Sequence, residues 1–410
     1  MDPFAYLYGL EQFGIKFGLE NMSAIVDRLG HPERTFRSVH IAGTNGKGSV
    51  TAMVDAALRA AGHRSARYTS PHLVDLTERF VIDGAPVATD ALRSVVDDVR
   101  NVVEDLRREH VLQVQPTFFE VTTAVAFELF RRNKVEVAVL EVGLGGRLDA
   151  TNVVSPIATA ITSIGFDHQL YLGPTLGDIA SEKAGIIKRG VPVVVGELAP
   201  EPDAVITRIA SERGAPLIRA SGRDVCGMDV GLRGAHQRIN AAVALHLLRV
   251  VDRSGLRMSA DAIARGLARP EWPGRLDLRR VAGGREVLLD AAHNPAGAAA
   301  LASYLQEMSP TPLPLVFAVM RDKDIAGMMR FLAPSVGSLV ATRASHPRSA
   351  DPEAIAERAR AIAPGLDVSV EPNVADALAR AWRSSPRVVV AGSIFLLGDV
   401  LRVIPFEKVD

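Results

Sequence analysis

The sequence predicts an α/β fold in two parts, a larger domain built on a parallel sheet and a second, smaller α/β domain. Three observations carry this. The chain has 410 residues, beyond the size at which one hydrophobic core keeps growing. From Phe36 to about Gly196, short β-branched runs alternate with Ala-rich amphipathic stretches, as in a doubly wound sheet. At Arg269-Pro270-Glu271-Trp272-Pro273-Gly274-Arg275 two prolines and a glycine interrupt a helix-rich stretch, and the alternation restarts beyond it, which places the domain boundary there.

In the first part the runs at 38–42, 135–142, 157–164 and 191–195 read as strands. Between them, residues 50–61 carry Val50, Met53, Val54, Ala57 and Leu58 on one helical stripe, with Gly62 as the stop. In the second part the runs at 286–289, 315–319, 338–341 and 388–390 read as strands, 351–363 and 374–382 as helices, and 310–314 as a turn-rich connection. No internal repeat or low-complexity segment interrupts this order.

Composition removes several classes of function. With 48% hydrophobic and 23% charged residues the chain is expected to pack a core rather than stay disordered. Lys plus Arg and Asp plus Glu are both 47, so no net field holds a polyanion, and no basic run interleaves with aromatics; nucleic acid is not an expected partner. Cys226 is the single cysteine, which excludes intrachain disulfides and Cys-based zinc sites. The start Met1-Asp2-Pro3-Phe4 lacks a cationic segment followed by an apolar one, and the longest apolar run, 388–398, ends at Asp399, too short to span a bilayer. A cytoplasmic monomer without a membrane partner is expected.

Gly43-Thr44-Asn45-Gly46-Lys47-Gly48-Ser49 stands between a strand and a helix. Glycines let successive N–H groups curl round a phosphate, the helix start adds positive potential, Lys47 is placed to neutralise β/γ oxygens and Ser49 can ligate Mg²⁺. No glycine stands five positions before Gly46, so this is not a strict Walker A loop. Glu141, ending a strand and followed by Val142-Gly143-Leu144-Gly145-Gly146, is placed to hold a cation shared with phosphates; pairing with a neighbouring Arg is the other reading. His168, in Ser163-Ile164-Gly165-Phe166-Asp167-His168, is a candidate metal ligand, although Mg²⁺ prefers oxygen. A capping-box start at Thr175-Leu176-Gly177-Asp178 opens a helix carrying Lys183, which the residues alone leave as an ordinary solvated cation. In Leu289-Asp290-Ala291-Ala292-His293-Asn294-Pro295, Asp290 suits a ribose and His293 a carboxylate or an incoming amine, unless both are satisfied loop residues.

Taken in order, these stretches resemble the folylpolyglutamate synthase and dihydrofolate synthase family of the Mur ligase superfamily. The likeness covers nearly the whole chain and includes residues 14–22 (GIKFGLENM), 40–49 (HIAGTNGKGS), 70–73, 117–120, 141–152 (EVGLGGRLDATN), 167–168, 182–188 (EKAGIIK), 236–241, 272–275, 290–295, 322–324 and 392–393. Ala291, and the lack of a glycine before Met320, are small departures from the family pattern. The resemblance implies a P-loop ATPase domain with a parallel sheet over residues 1–275 and a smaller Rossmann-like α/β domain over 276–410. It implies ATP at Asn45, Gly46, Lys47, Gly48, Ser49, Asn240, Arg275 and Asp290, and magnesium at Ser70, Glu141 and His168. Lys183 matches a carbamylated lysine. Thr117, Phe118, Phe119 and Glu120, with Asp149, Ala150, Thr151 and Asn152, match folate-binding positions, while His293 and Ser393 are expected at the glutamate.

The expected activity is ATP-dependent addition of L-glutamate to dihydropteroate, to folyl(poly)glutamates or to both, through an acyl phosphate, with Lys47, Lys183 and His293 as catalytic residues. A bifunctional enzyme is favoured. Two rivals share the P-loop: a Mur ligase acting on a UDP-linked sugar peptide, and a non-catalytic nucleotide switch. The first is disfavoured by EVGLGGRLDATN and by a P-loop that begins at Gly43; the second leaves Asp290 and His293 unused.

Overall fold

A computed structural model describes residues 2–14 and 16–407. Met1 of the N-terminal reading and Ile15 of the 14–22 stretch lie outside the described residues. Among the described residues, no helix is long and apolar enough to cross a membrane.

The first sheet contains β1 (Arg37–Ala42), β2 (Ser65–Tyr68), β3 (Phe80–Ile82), β4 (Ala85–Pro86), β5 (Val137–Glu141), β6 (Ala158–Ile161), β7 (Val193–Val195) and β8 (Leu217–Arg219), in the order β4-β3-β2-β5-β1-β6-β7-β8. The second contains β9 (Asp277–Val281), β10 (Arg285–Leu289), β11 (Leu313–Phe317), β12 (Val336–Ala341), β13 (Asp367–Val370) and β14 (Arg387–Ala391), in the order β13-β12-β11-β14-β10-β9. Both are parallel at their centres. At the edges β3 and β4 in one sheet and β9 in the other pair antiparallel.

The helix Lys47–Ala60 forms as its stripe predicts. Val50, Met53, Val54, Ala57 and Leu58 are all fully buried against the sheet and the helix His236–Arg253, the Val, Met and Leu side chains each contributing roughly 1.5–3 kcal/mol by leaving water. Gly62 follows the helix with φ 87°, a conformation that ends it.

Other elements differ from the reading. β11 starts at Leu313, inside the stretch expected as a turn, and a register irregularity at Leu313/Pro314 accommodates the proline. β2, β9 and β13 were not expected, because SARY, DLRRV and DVSV mix polar and apolar residues without a run of β-branched ones.

What matters for function is where strands end. β1 lies between β5 and β6, so the chain winds away from it in both directions and leaves a crevice at the carboxyl ends of these strands. The loops after β10, β11, β12 and β14 face that crevice from the second sheet.

Candidate active site

The two sets of strand ends enclose a cavity of about 550 Å³. Its first wall is the loop after β1. Gly46 has φ 86°, and a Cβ there would lie 2.3 Å from Asn240 Oδ1, so only glycine fits both the backbone and the neighbour. At Gly48 the intruder is an indole: a Cβ would lie 2.3 Å from Trp272. Asn45, Lys47, Ser49, Asn240 and Arg275 all line the cavity with them.

Lys47 Nζ donates to the carbonyls of Gly43 at 3.0 Å and Thr44 at 3.3 Å, which holds the ammonium back over the loop. Lys183, 5% exposed, reaches the same Gly43 carbonyl at 3.0 Å from the helix Leu176–Ala184. Burial, and then the charge of Lys47 beside it, bring the Lys183 amine down to a pKa of about 7. A lysine in a helix need not be solvated, and this one is not.

Glu141 ends β5 at 5% exposure and accepts the Ser70 N–H at 3.3 Å. Burial raises its pKa, against the lowering pull of Lys47. A buried carboxylate with so few donors suits a cation, and Ser70 and His168 line the same cavity. His168 adopts φ 52° at the start of the helix Gln169–Leu172, and burial is the main cause that lowers its pKa to about 4, so the imidazole is neutral at neutral pH. Its Nε2 lies 3.5 Å from Lys323 Nζ, which a cation at that nitrogen would displace. Among the described residues no group of three His, Cys, Asp or Glu side chains is arranged to hold a metal unaided. The set Ser70, Glu141 and His168 therefore fits an ion that keeps other oxygen ligands, as Mg²⁺ shared with phosphates does.

The opposite wall comes from the second sheet. Both oxygens of Asp290 are engaged by backbone, from Leu276 N at 2.9 Å and Ala292 N at 3.0 Å; burial raises its pKa while Arg275 pulls it down. His293 Nδ1 lies 2.8 Å from the Ala291 carbonyl and so carries a hydrogen, leaving Nε2 toward Asp167 at 3.5 Å. Ser393 accepts the Phe395 N–H at 3.2 Å and caps the helix Ile394–Val403.

Asp167 was not among the predicted site residues, although it adjoins His168. It joins the two walls. Lys323 Nζ is 2.5 Å away, and Asn294 Nδ2 donates to it at 3.2 Å. Burial alone would raise its pKa, but the His293 ring beside it and the Lys323 charge win and hold the carboxyl far below the usual range. Asn45 and Asn294 exchange amide hydrogen bonds of 3.0 and 3.1 Å across the same seam.

The positions expected at the folate lie behind the wall. Thr117 and Glu120 form a reciprocal cap at the start of the helix Phe118–Arg132, with the Thr117 N–H donating to Glu120 at 2.7 Å and the Glu120 N–H to Thr117 Oγ1 at 3.2 Å. Phe118 stacks with Tyr8 at 6.2 Å, and Phe119 stacks with Tyr68 at 5.9 Å while pressing on Gly143. Asp149 accepts the Leu144 N–H at 2.9 Å and the Thr151 N–H at 3.0 Å, Asn152 Nδ2 donates to the Arg147 carbonyl at 2.9 Å, and Ala150 is buried. These residues shape the glycine loop, whose Gly143, Leu144 and Gly145 do line the cavity.

Residues 41–196 match the Mur ligase middle domain and residues 274–394 the Mur ligase glutamate ligase domain. The chain is 36% identical over 356 residues to the dihydrofolate synthase/folylpolyglutamate synthase of Bacillus subtilis, covering 81% of this chain and 82% of that protein. The chain belongs to the folylpolyglutamate synthase and dihydrofolate synthase family. It is an ATP-dependent ligase of the Mur type. E. coli FolC in complex with DHPP and ADP superposes with a TM-score of 0.86 at 31% identity, over 98% of this chain and 97% of that one. A bifunctional folylpolyglutamate synthase/dihydrofolate synthase with Mn, AMPPNP and L-glutamate bound gives 0.85 at 31% identity, over 98% of each chain.

Proposed function

We propose that this ligase forms an amide between L-glutamate and a folate-type carboxylate, taking both dihydropteroate and folyl(poly)glutamates, and releases ADP and phosphate. The observation that carries this reading is a single cavity in which a phosphate loop, a buried carboxylate and a buried lysine face His293 and Ser393 of a second sheet. Residues 1–275 form the ATP-binding domain and 276–410 the glutamate-ligase domain, in a cytoplasmic monomer.

A carboxylate is a poor acyl donor because oxide would have to leave. Its oxygen therefore takes the γ-phosphoryl group, the β–γ bridge bond breaks, and ADP departs. Lys47 and the loop amides of residues 45–49 spread the charge of this transfer. Asn240, Arg275 and Asp290 hold the nucleotide. Mg²⁺, when bound at Ser70, Glu141 and His168, supplies charge neutralisation at the phosphates. The glutamate amine then attacks the acyl carbon, the bond to phosphate breaks, and the amine loses a proton. His293 Nε2 is the acceptor for that proton, with Asp167 beside it to pair with the imidazolium. Ser393 is a glutamate contact on the same wall.

Lys183 acts as a carbamate. With a pKa of about 7, a large share of its amine is neutral near neutral pH, and only the neutral amine adds to carbon dioxide and loses a proton. The product is an anion where a buried cation stood, next to the metal ligands. The pterin end lies against the glycine loop, whose shape Thr117, Phe118, Phe119, Glu120, Asp149, Ala150, Thr151 and Asn152 set from behind.

The test is incubation with ATP, labelled glutamate and either dihydropteroate or tetrahydrofolate. Glutamyl products from both acceptors are expected. A product from one alone removes the bifunctional assignment, and ATP hydrolysis without labelled product removes the ligase assignment to folates.

A further inference from the structure

The helix that begins at Lys47 is touched at its start by a ring from a distant part of the chain. Trp272 belongs to the segment 269–275 that joins the two sheets, and its indole leaves no room for a side chain at Gly48: a Cβ there would lie 2.3 Å from Cζ2. Gly48 is the second residue of the helix, between Lys47 and Ser49 on the cavity wall. Its backbone N–H is one of the free donors at a helix start that a phosphate meets, so whatever sets the indole also sets that donor.

Among the described residues no hydrogen bond holds the ring, since Trp272 Nε1 is buried and has no partner. A contact on its face does. The Arg67 guanidinium carbon stands 5.5 Å from the ring centroid, within the reach of a cation–π contact. Arg67 comes from β2 and is 9% exposed, and its Nε also lacks a partner. The guanidinium has therefore exchanged water for the indole on one side and for Asp55, 3.5 Å from its Nη1, on the other. Asp55 is anchored in turn by the Ser65 hydroxyl at 2.6 Å and Arg59 Nε at 3.3 Å. It stands about two turns beyond Gly48 on the same helix, Lys47–Ala60. The contacts run from Gly48 to Trp272, Arg67 and Asp55 and return to the helix they left. A surface arginine near a ring is often incidental, but a desolvated one grips the ring more strongly.

We propose that Arg67 is a positioning residue for nucleotide binding: through the Trp272 indole it fixes the helix start at Gly48, and with it the loop amides that take the phosphates. The inference rests only on the phosphate-loop role of residues 43–49 and not on the choice of acceptor.

The test uses the full chain carrying Trp382→Phe, which leaves Trp272 as its single tryptophan. Its emission is followed as AMPPNP and Mg²⁺ are added, without glutamate or acceptor, in this parent and with Arg67→Met or Arg67→Lys. Met keeps much of the side-chain length and leaves Asp55 its Ser65 and Arg59 partners. Nucleotide is expected to change the emission of the parent. Arg67→Met should shift the nucleotide-free emission and weaken Kd about twofold to thirtyfold, the range of a cation–π contact from exposed to desolvated. Arg67→Lys recovers part of both. In turnover KM for ATP rises by the same factor, while KM for glutamate and for dihydropteroate stay unchanged. In a Trp272→Leu background Arg67→Met raises KM for ATP no further. An unchanged Kd, with or without a lower Tm, overturns the role of Arg67, as do an equal rise in all three KM values and an undiminished effect in the Trp272→Leu background. Where Arg67→Met does not fold, Arg67→Lys decides: a weaker Kd with altered emission supports the role, and parent values in both overturn it. A wild type that binds no nucleotide overturns the phosphate-loop reading and the inference with it.

Discussion

The wall of the cavity beneath the first sheet and the wall beneath the second do comparable work with different construction. In the first, residues 43–49 are consecutive, and they meet Glu141 and Lys183 within one domain. In the second, His293, Lys323, Arg348 and Ser393 follow four different strands, β10, β11, β12 and β14. Phosphate is bound mainly by neighbouring backbone N–H groups and a helix start, so its site is continuous in sequence. An amino acid is recognised by side chains that converge from separate strand ends, and no spacing rule links them.

Damage to the first wall should stop the reaction and damage to the second should grade it. Lys47→Ala and Glu141→Ala are expected to lower glutamate-dependent ADP release at least about a hundredfold to a thousandfold, as the loss of a charge-stabilising group at a reacting centre does. Full activity in either would remove the proposed roles.

The seam between the walls gives the next effect. Asp167→Asn and Lys323→Met each leave one partner of a mostly buried pair without its counter-charge, and each should reduce kcat/KM by roughly tenfold to a hundredfold. The double variant should be less damaged than the sum of the singles, which a double-mutant cycle measures. The sign of the acid response follows from Asp167. Its folded pKa is lowered, so its contribution to stability is fully present above its unfolded value near 3.8 and is lost as pH falls below that. Thermal unfolding should therefore show no Asp167-dependent change between about pH 5 and pH 8 and a loss in acid that Asp167→Asn lacks.

Lys183 sharpens the first wall from another side. Below about pH 7 its amine is protonated and closed to carbon dioxide; above it the neutral form dominates. Carbamate content should rise through that pH, seen as a ¹³C signal with labelled bicarbonate that Lys183→Met lacks. Absence of the signal in active wild type would remove the modification. The smallest effect is expected at Ser393→Ala, where a lost helix cap costs about 0.5–2 kcal/mol, read from Tm, beside a modest change in KM for glutamate.

Sequence reading was strongest where chemistry is local. The loop after β1, the carboxylate closing β5 and the capping box of the helix Leu176–Ala184 each carry their signal within a few residues. It was weaker for β2, β9 and β13, whose polar residues break the strand pattern: Arg67 in β2 is buried only because Asp55 lies 3.5 Å away and Trp272 offers a ring face at 5.5 Å. The stretch 117–120 forms a reciprocal helix cap, a local signal of Thr followed three residues later by Glu that went unread.

By itself the sequence determined the α/β class and the family resemblance, because periodicity and motif chemistry are short-range. Only the tertiary structure decided that Lys183 is buried beside Lys47 and that Asp167 answers Lys323 across the seam. Those facts depend on which strand ends face each other, and burial and pairing are properties of that encounter.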